Sequence, residues 1–151
     1  MVAIEYHEIY GPCIITTLSA VQQVNFGLKY ERAKKRYKVP LLENNSGDEN
    51  FQRVQKAYQH TVDMYPVFLG GLWSSSLLLH QGPATALGLL YIVARSKYFR
   101  GYTEAAPKRI PGYKLCMFSL LGMTVCSFVG VSGVVLSKVL GKSLIRLLPG
   151  E

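Results

Sequence analysis

The sequence predicts an all-α integral membrane protein, a bundle of four transmembrane helices in a single domain. Three observations predict it. First, charge is excluded from three long stretches: Ile9 to Leu28, Met64 to Ala94 and Leu115 to Leu136 contain no Lys, Arg, Asp or Glu. A bilayer needs about 20 mostly apolar residues per helix, and the first and last stretches have 20 and 22. Second, the middle stretch has 31 residues. That is too long for one span, and Gln81-Gly82-Pro83 divides it in two. Third, with spans at about 9–28, 64–80, 84–99 and 115–136, the basic residues collect on one side. Segments 29–59 and 95–114 carry 8 and 6 Lys and Arg, whereas the opposite side has only Lys138, Lys142 and Arg146. Cytoplasmic loops carry such an excess, which puts the basic side in the cytosol and both termini in the lumen. Overall apolar content, 49%, is ordinary for a globular chain. A soluble helical bundle therefore stands as the alternative, because Gln22, Gln23 and Asn25 are costly against lipid unless they face the bundle interior.

The elements follow in order. The first helix continues beyond its span, since LKYERAKKRYK keeps good helix formers through Lys38, and Pro40 ends it. ENNSGD, residues 43–48, reads as a loop, and Asp48 or Asn50 can cap a second helix starting near Glu49. Pro66 lies inside that helix and is a candidate kink. GlnGlyPro reads as a tight lumenal turn. The third helix runs past its apolar part through Arg95, Tyr98 and Tyr102, and ProLysArgIleProGly at 107–112 reads as the second cytosolic loop. In the fourth helix Gly122, Cys126 and Gly130 recur every four residues, a small-residue stripe suited to close helix packing in lipid.

Several functional classes fit the sequence poorly. The net charge of +8 lies on one face and suits anionic lipid heads or an anionic substrate. It suits nucleic acid poorly, since no separate folded domain presents the basic loops. The N-terminus, MVAIEYHE, is acidic where a signal peptide is basic, so the first apolar block is expected to be retained. Cys13, Cys116 and Cys126 have no metal-ligand spacing and read as small buried apolar residues. Asn44-Asn45-Ser46 matches a glycosylation sequon that would stay bare on a cytosolic loop.

Two polar stripes carry the functional signal. Arg53, Lys56, His60 and Asp63 fall at spacings of three and four, on one face of a helix entering the membrane. Tyr91, Arg95, Tyr98 and Tyr102 are spaced four, three and four. Ionisable residues at membrane depth face a partner or a wet cavity. Two such faces at one depth imply either a shared polar pocket under the basic loops, or stripes that only pair with each other and anchor the helices. Cations, one carboxylate and phenolic hydroxyls suit a small anion that also carries an amine. Glutathione, with two carboxylates, one ammonium and one thiol, is such a molecule. A cation near its sulfur would favour the nucleophilic thiolate. His7 and His80 read as interface residues.

The runs RAKKRYKV at 32–39, FQRVQKAYQ at 51–59, MYPVFL at 64–69 and GLLYIVARSKYFRGY at 88–102 together resemble the membrane-associated proteins in eicosanoid and glutathione metabolism. The resemblance covers about residues 5–136. It implies four transmembrane helices, a homotrimer, and glutathione bound between neighbouring subunits near the cytosolic face. It also implies residence in the membrane of the endoplasmic reticulum (or the nuclear envelope or outer mitochondrial membrane), among membrane lipids and with no metal. Carried over residue by residue, it assigns Arg109 to stabilising the glutathione thiolate. Glutathione contacts fall to Lys34, Lys56, Tyr58, His60, Asp63, Tyr98 and Tyr102. Lys34 and Lys56 stand where the family has arginine, His60 where it has asparagine, Asp63 where it has glutamate, and Tyr58 where relatives have glutamine or histidine. Lysine keeps the charge but lacks the planar fork of arginine. The activity implied is conjugation of glutathione to a lipophilic electrophile, with reduction of a lipid hydroperoxide or leukotriene-C synthesis as variants. The alternative within the family is a non-catalytic lipid-presenting protein like the five-lipoxygenase-activating protein, which also has aspartate at the position of Asp63.

Overall fold

A computed structural model describes residues 9–39 and 48–147, with backbone only for 140–147. It places four helices in chain order: α1 Tyr10–Arg36, α2 Glu49–Leu78, α3 Gln81–Glu104 and α4 Ile110–Leu147, with a 3₁₀ turn at Ala106–Arg109 before α4. Pro40, residues 43–47 with the sequon, the acidic N-terminus and His7 lie outside the described residues. α3 is the central helix and packs against α1, α2 and α4.

Each helix start has a local cause. The Asp48 carboxylate accepts from the Asn50 and Phe51 backbone N–H groups at 2.8 and 3.4 Å, so one of the two expected caps starts α2 at Glu49. His80 caps α3, its Nδ1 accepting from Gly82 N–H at 3.0 Å. GlnGlyPro is therefore the first turn of α3 and not the turn before it. Proline fits there because the N–H it lacks has no intrahelical partner in a first turn. The same physics corrects the second expected loop. Pro107 lies in the 3₁₀ turn, and Pro111 and Gly112 open α4. Pro66 sits within an uninterrupted α2. α1 ends at Arg36, and Lys38 beyond it has a φ of +52°.

The core lies along α3. Phe26 stacks on Phe99 with ring centroids 4.4 Å apart, and Phe68 on Tyr91 at 4.1 Å. Both pairs are buried with Ile15, Leu72 and Met123. Deleting a ring such as Phe68 costs about 3–5 kcal/mol in a packed core. Gln22, an argument against the membrane reading, faces inward: its amide donates to the Ile92 carbonyl at 2.7 Å and to Ser96 Oγ at 2.8 Å. Asn25 is exposed and bonds its own helix, at Val21 O. The small-residue stripe of α4 packs within the chain. Gly122 lies on Leu87, and a side chain at Gly130 would meet the Leu78 carbonyl carbon at 2.6 Å.

Away from the basic end, much of the outer surface is apolar. Ile14, Leu18, Val21 and Val24 on α1, and Phe118, Leu121, Phe128 and Val129 on α4, are exposed. An apolar surface of this extent needs lipid or another protein against it. Ala106–Val139 is the one segment among the described residues that is long and apolar enough to cross a membrane by length and hydropathy alone. The other three helices dilute their apolar residues with amides, hydroxyls and charges. Cys116 is buried and Cys126 half-buried, as expected, but Cys13 is exposed on α1. It points away from the bundle because Pro12 and Ile15 take the inward face.

Candidate functional site

At the basic end of the bundle, the corner between α3 and α4 sets the site. Gly101 and Gly112 make that corner possible. A methyl group on Gly101 would run into the Lys108 carbonyl. One on Gly112 would lie 2.6 Å from Tyr98 Cα, so the chain passes backbone to backbone at both points. This tight return brings Arg109 over the Tyr102 ring, at 4.7 Å from the centroid. Arg109 itself is exposed.

Beneath the corner lies a cavity of about 470 Å³ lined by His60, Tyr98, Arg109, Ile110, Tyr113 and Lys114. Its wall is a cluster of rings. His60 lies 5.1 Å from Tyr98 and 5.9 Å from Tyr113, centroid to centroid, and Tyr98 lies 5.8 Å from Tyr102. Two cations, one imidazole and two phenols thus face one space. This arrangement attracts an anion and offers it several hydrogen-bond donors. Burial, then the neighbouring Arg95 guanidinium, holds the His60 imidazole below its ordinary pKa of 6.5; Asp63 opposes this and Arg109 adds to it. Burial and Arg95 thus favour the neutral ring.

The expected site residues divide. His60, Tyr98 and Arg109 line the cavity together. Tyr102 is buried beneath Arg109 and supports it. Lys56 and Asp63 share the His60 face of α2 but are exposed, outside the cavity wall of a single chain. Tyr58 is two residues from His60, roughly opposite on the helix. It stacks on Tyr30 of α1 at 5.0 Å. Burial, then Glu31 and Tyr58, pushes the Tyr30 hydroxyl above its usual pKa. Lys34 is half-buried in the last turn of α1. One chain therefore does not bring Lys34 or Tyr58 to the cavity.

Tyr113 and Lys114 line the cavity without having been singled out in the sequence. Reading 107–112 as a loop hides that Arg109 and Tyr113 are four residues apart at a helix start. Arg95 was visible as part of the α3 stripe, but its contact with His60 depends on how α2 and α3 face each other, which spacing alone does not give. Among the described residues no group of three or more His, Cys, Asp or Glu is placed to hold a metal.

The fold and the site define a class: a helical bundle with an apolar exterior and a cationic, phenol-lined cavity at one end. The model of the MAPEG family matches residues 13–129, and the chain belongs to that family. It is similar to microsomal glutathione S-transferase 2 from Bos taurus, with 40% identity over 117 residues, covering 78% of this chain and 80% of the relative. The human protein of that name is 38% identical over 136 residues, covering 89% and 90%. The mouse protein is 39% identical over 128 residues, covering 83% and 85%.

Proposed function

We propose that this chain is a membrane-bound glutathione transferase. The observation that carries the reading is that Arg109, His60 and Tyr98, three residues chosen from the sequence, line one cavity. The relatives' name supports the substrate. Glutathione lies in the cavity with its thiol near Arg109. The guanidinium stabilises the thiolate by its positive charge and its N–H donors, and the Tyr102 ring beneath it holds it in place. The sulfur lone pair forms a bond to an electrophilic carbon of an apolar acceptor, and the acceptor's leaving group departs with the bonding pair or its π electrons shift onto the acceptor. His60 and Tyr98 hold the peptide. Lys56 and Asp63, exposed one turn to either side of His60, complete the grip where a neighbouring subunit of a homotrimer closes the site, with Lys34 and Tyr58 at that boundary.

The acceptor is lipophilic and arrives through the bilayer. An apolar groove of about 400 Å³ between α2 and α4, lined by Val67, Gly71, Leu78, Thr124, Phe128 and Val131 among others, opens on the apolar outer surface. Four spans, cytosolic basic loops and residence in the endoplasmic reticulum membrane complete the reading. Lipid hydroperoxide reduction and leukotriene-C synthesis are the finer variants. The same groove favours a second reading, a protein that presents a lipid without catalysis. Assaying the purified, detergent-solubilised protein with glutathione and two acceptors, a reactive aryl halide and a lipid hydroperoxide, separates the two. Transfer or reduction that fails in Arg109→Ala supports the enzyme. No turnover with either acceptor supports lipid presentation.

A further inference from the structure

Among the described residues Arg95 is the largest fully buried side chain, at 1% exposure. A guanidinium at this depth ordinarily meets a carboxylate, yet neither ion pair among the described residues includes it. Both of its terminal nitrogens reach His60 instead. Nη2 donates to the His60 backbone carbonyl at 2.9 Å, and Nη1 lies 3.1 Å from His60 Nδ1. The Tyr91 and Tyr98 rings lie 5.4 and 5.3 Å from the guanidinium carbon, so their faces help hold the charge.

The chemistry of this contact is one-sided. Guanidinium has donors only and stays protonated. The Nδ1 facing it must therefore accept, and it carries no proton. A neutral imidazole has a single N–H, which must then sit on Nε2. We propose that Arg95 is a positioning residue that fixes His60 as the neutral Nε2–H tautomer, making the cavity wall at that point a hydrogen-bond donor. This deepens the glutathione reading and rests on it for the identity of the ligand. Nε2 already holds a proton and Nδ1 is occupied by Arg95. His60 therefore donates to an oxygen of the peptide and does not remove the thiol proton, which leaves to water while Arg109 stabilises the sulfur. The other groups facing the ring are Asp63 on α2, Tyr98 on α3, Arg109 in the 3₁₀ turn, and Tyr113 and Lys114 on α4. Asp63 is the only anion among them, and it is exposed.

The test is nitrogen-15 NMR of the histidine rings in the full, detergent-solubilised chain, with His60 assigned by its loss in His60→Asn. A neutral ring protonated on Nε2, with its titration displaced below the ordinary histidine value of 6.5, is the expected result. An Nδ1–H ring, or ordinary titration, overturns the proposal. Arg95→Lys keeps the charge but loses the fork, so the two tautomers should mix and titration should move back toward 6.5. An unchanged ring in that variant also overturns it. Where Arg95→Lys fails to fold, the wild-type spectrum decides alone. In kinetics, His60→Ala should raise KM for glutathione about tenfold more than it lowers kcat, and His60→Asn, which keeps an acceptor and an N–H donor, should recover part of that loss. A fall in kcat of about 100-fold at unchanged KM would mark a general base and overturn the assignment. A chain that conjugates nothing defeats the transferase reading, while the ring spectra still decide the role of Arg95.

Discussion

α2 and α3 carry polar stripes written in the same helical spacing, and the fold treats them in opposite ways. On α3, Tyr91, Arg95, Tyr98 and Tyr102 are all buried. On α2, His60 is half-buried and turned toward α3, while Lys56 and Asp63 on the same face are exposed. Spacing assigns side chains to a face; what covers that face depends on the neighbours. α3 is surrounded by the other three helices, so its stripe has to satisfy itself with rings, carbonyls and His60. The α2 stripe runs past the edge of α3, where its charges stay hydrated in a single chain and remain available to a ligand or a second subunit. One stripe is therefore built into the bundle, and the other is offered outward.

Substitutions along the two stripes and at the corner joining them should behave accordingly. The largest effect is expected at Arg109. Arg109→Ala should cut turnover by about 100- to 1000-fold, the scale for losing one group that stabilises a developing anion. Its exposed position should leave thermal unfolding nearly unchanged. Steady-state kinetics beside a melting curve checks both, and parallel loss of the two would make Arg109 a structural residue. Gly112→Ala comes next. Its methyl group meets the Tyr98 backbone, so α4 must shift, at a cost of about 1–3 kcal/mol. Denaturation should register this together with reduced turnover, since Arg109 and Tyr113 move with the corner. Unchanged stability would mean that the close approach of α3 and α4 is not real.

Smaller effects are expected on α2. Asp48→Ala removes the cap that starts the helix and should cost about 1 kcal/mol, read from the same unfolding curves. The His60 pKa is lowered in the fold, by burial first and Arg95 second. As the pH falls below 6.5, the unfolded chain gains a proton that the folded chain does not take. Stability should therefore drop through that window and level off below the folded pKa. Melting curves across pH, wild type against His60→Asn, isolate this contribution, and identical slopes would remove it. Lys56→Ala should be the mildest for stability, within about 0.5 kcal/mol as for an exposed surface residue. Calorimetric titration with glutathione should nevertheless show weaker binding, and equal affinity would take Lys56 out of the site.

Much of this was legible in the residues themselves. Charge-free runs located the four helices, the 4-3-4 spacing located the buried face of α3, and Asp48 located the start of α2. Three of the cavity-lining residues came from the stripes and from the family resemblance. What was not legible depended on approach rather than pattern. Proline-rich 107–112 reads as a loop until Gly101 and Gly112 are seen to let α4 start against the α3 backbone, and only then do Tyr113 and Lys114 join Arg109. Tyr58 sits in the same run as Lys56 and His60, yet its side chain belongs to Tyr30 and α1. Buried Arg95 was visible as a charge, but its partner, the ring and carbonyl of His60, depended on the register between two helices.

The inward members of both stripes, His60 and Tyr98, meet Arg109 in one cavity, proposed above to bind glutathione. A structure of the detergent-solubilised protein with glutathione bound tests it most directly. The sulfur should lie beside the Arg109 guanidinium, with the peptide against His60 and Tyr98. Glutathione held instead at the Lys29, Arg32 and Arg36 cleft on α1, with the cavity under the corner unoccupied, would contradict it.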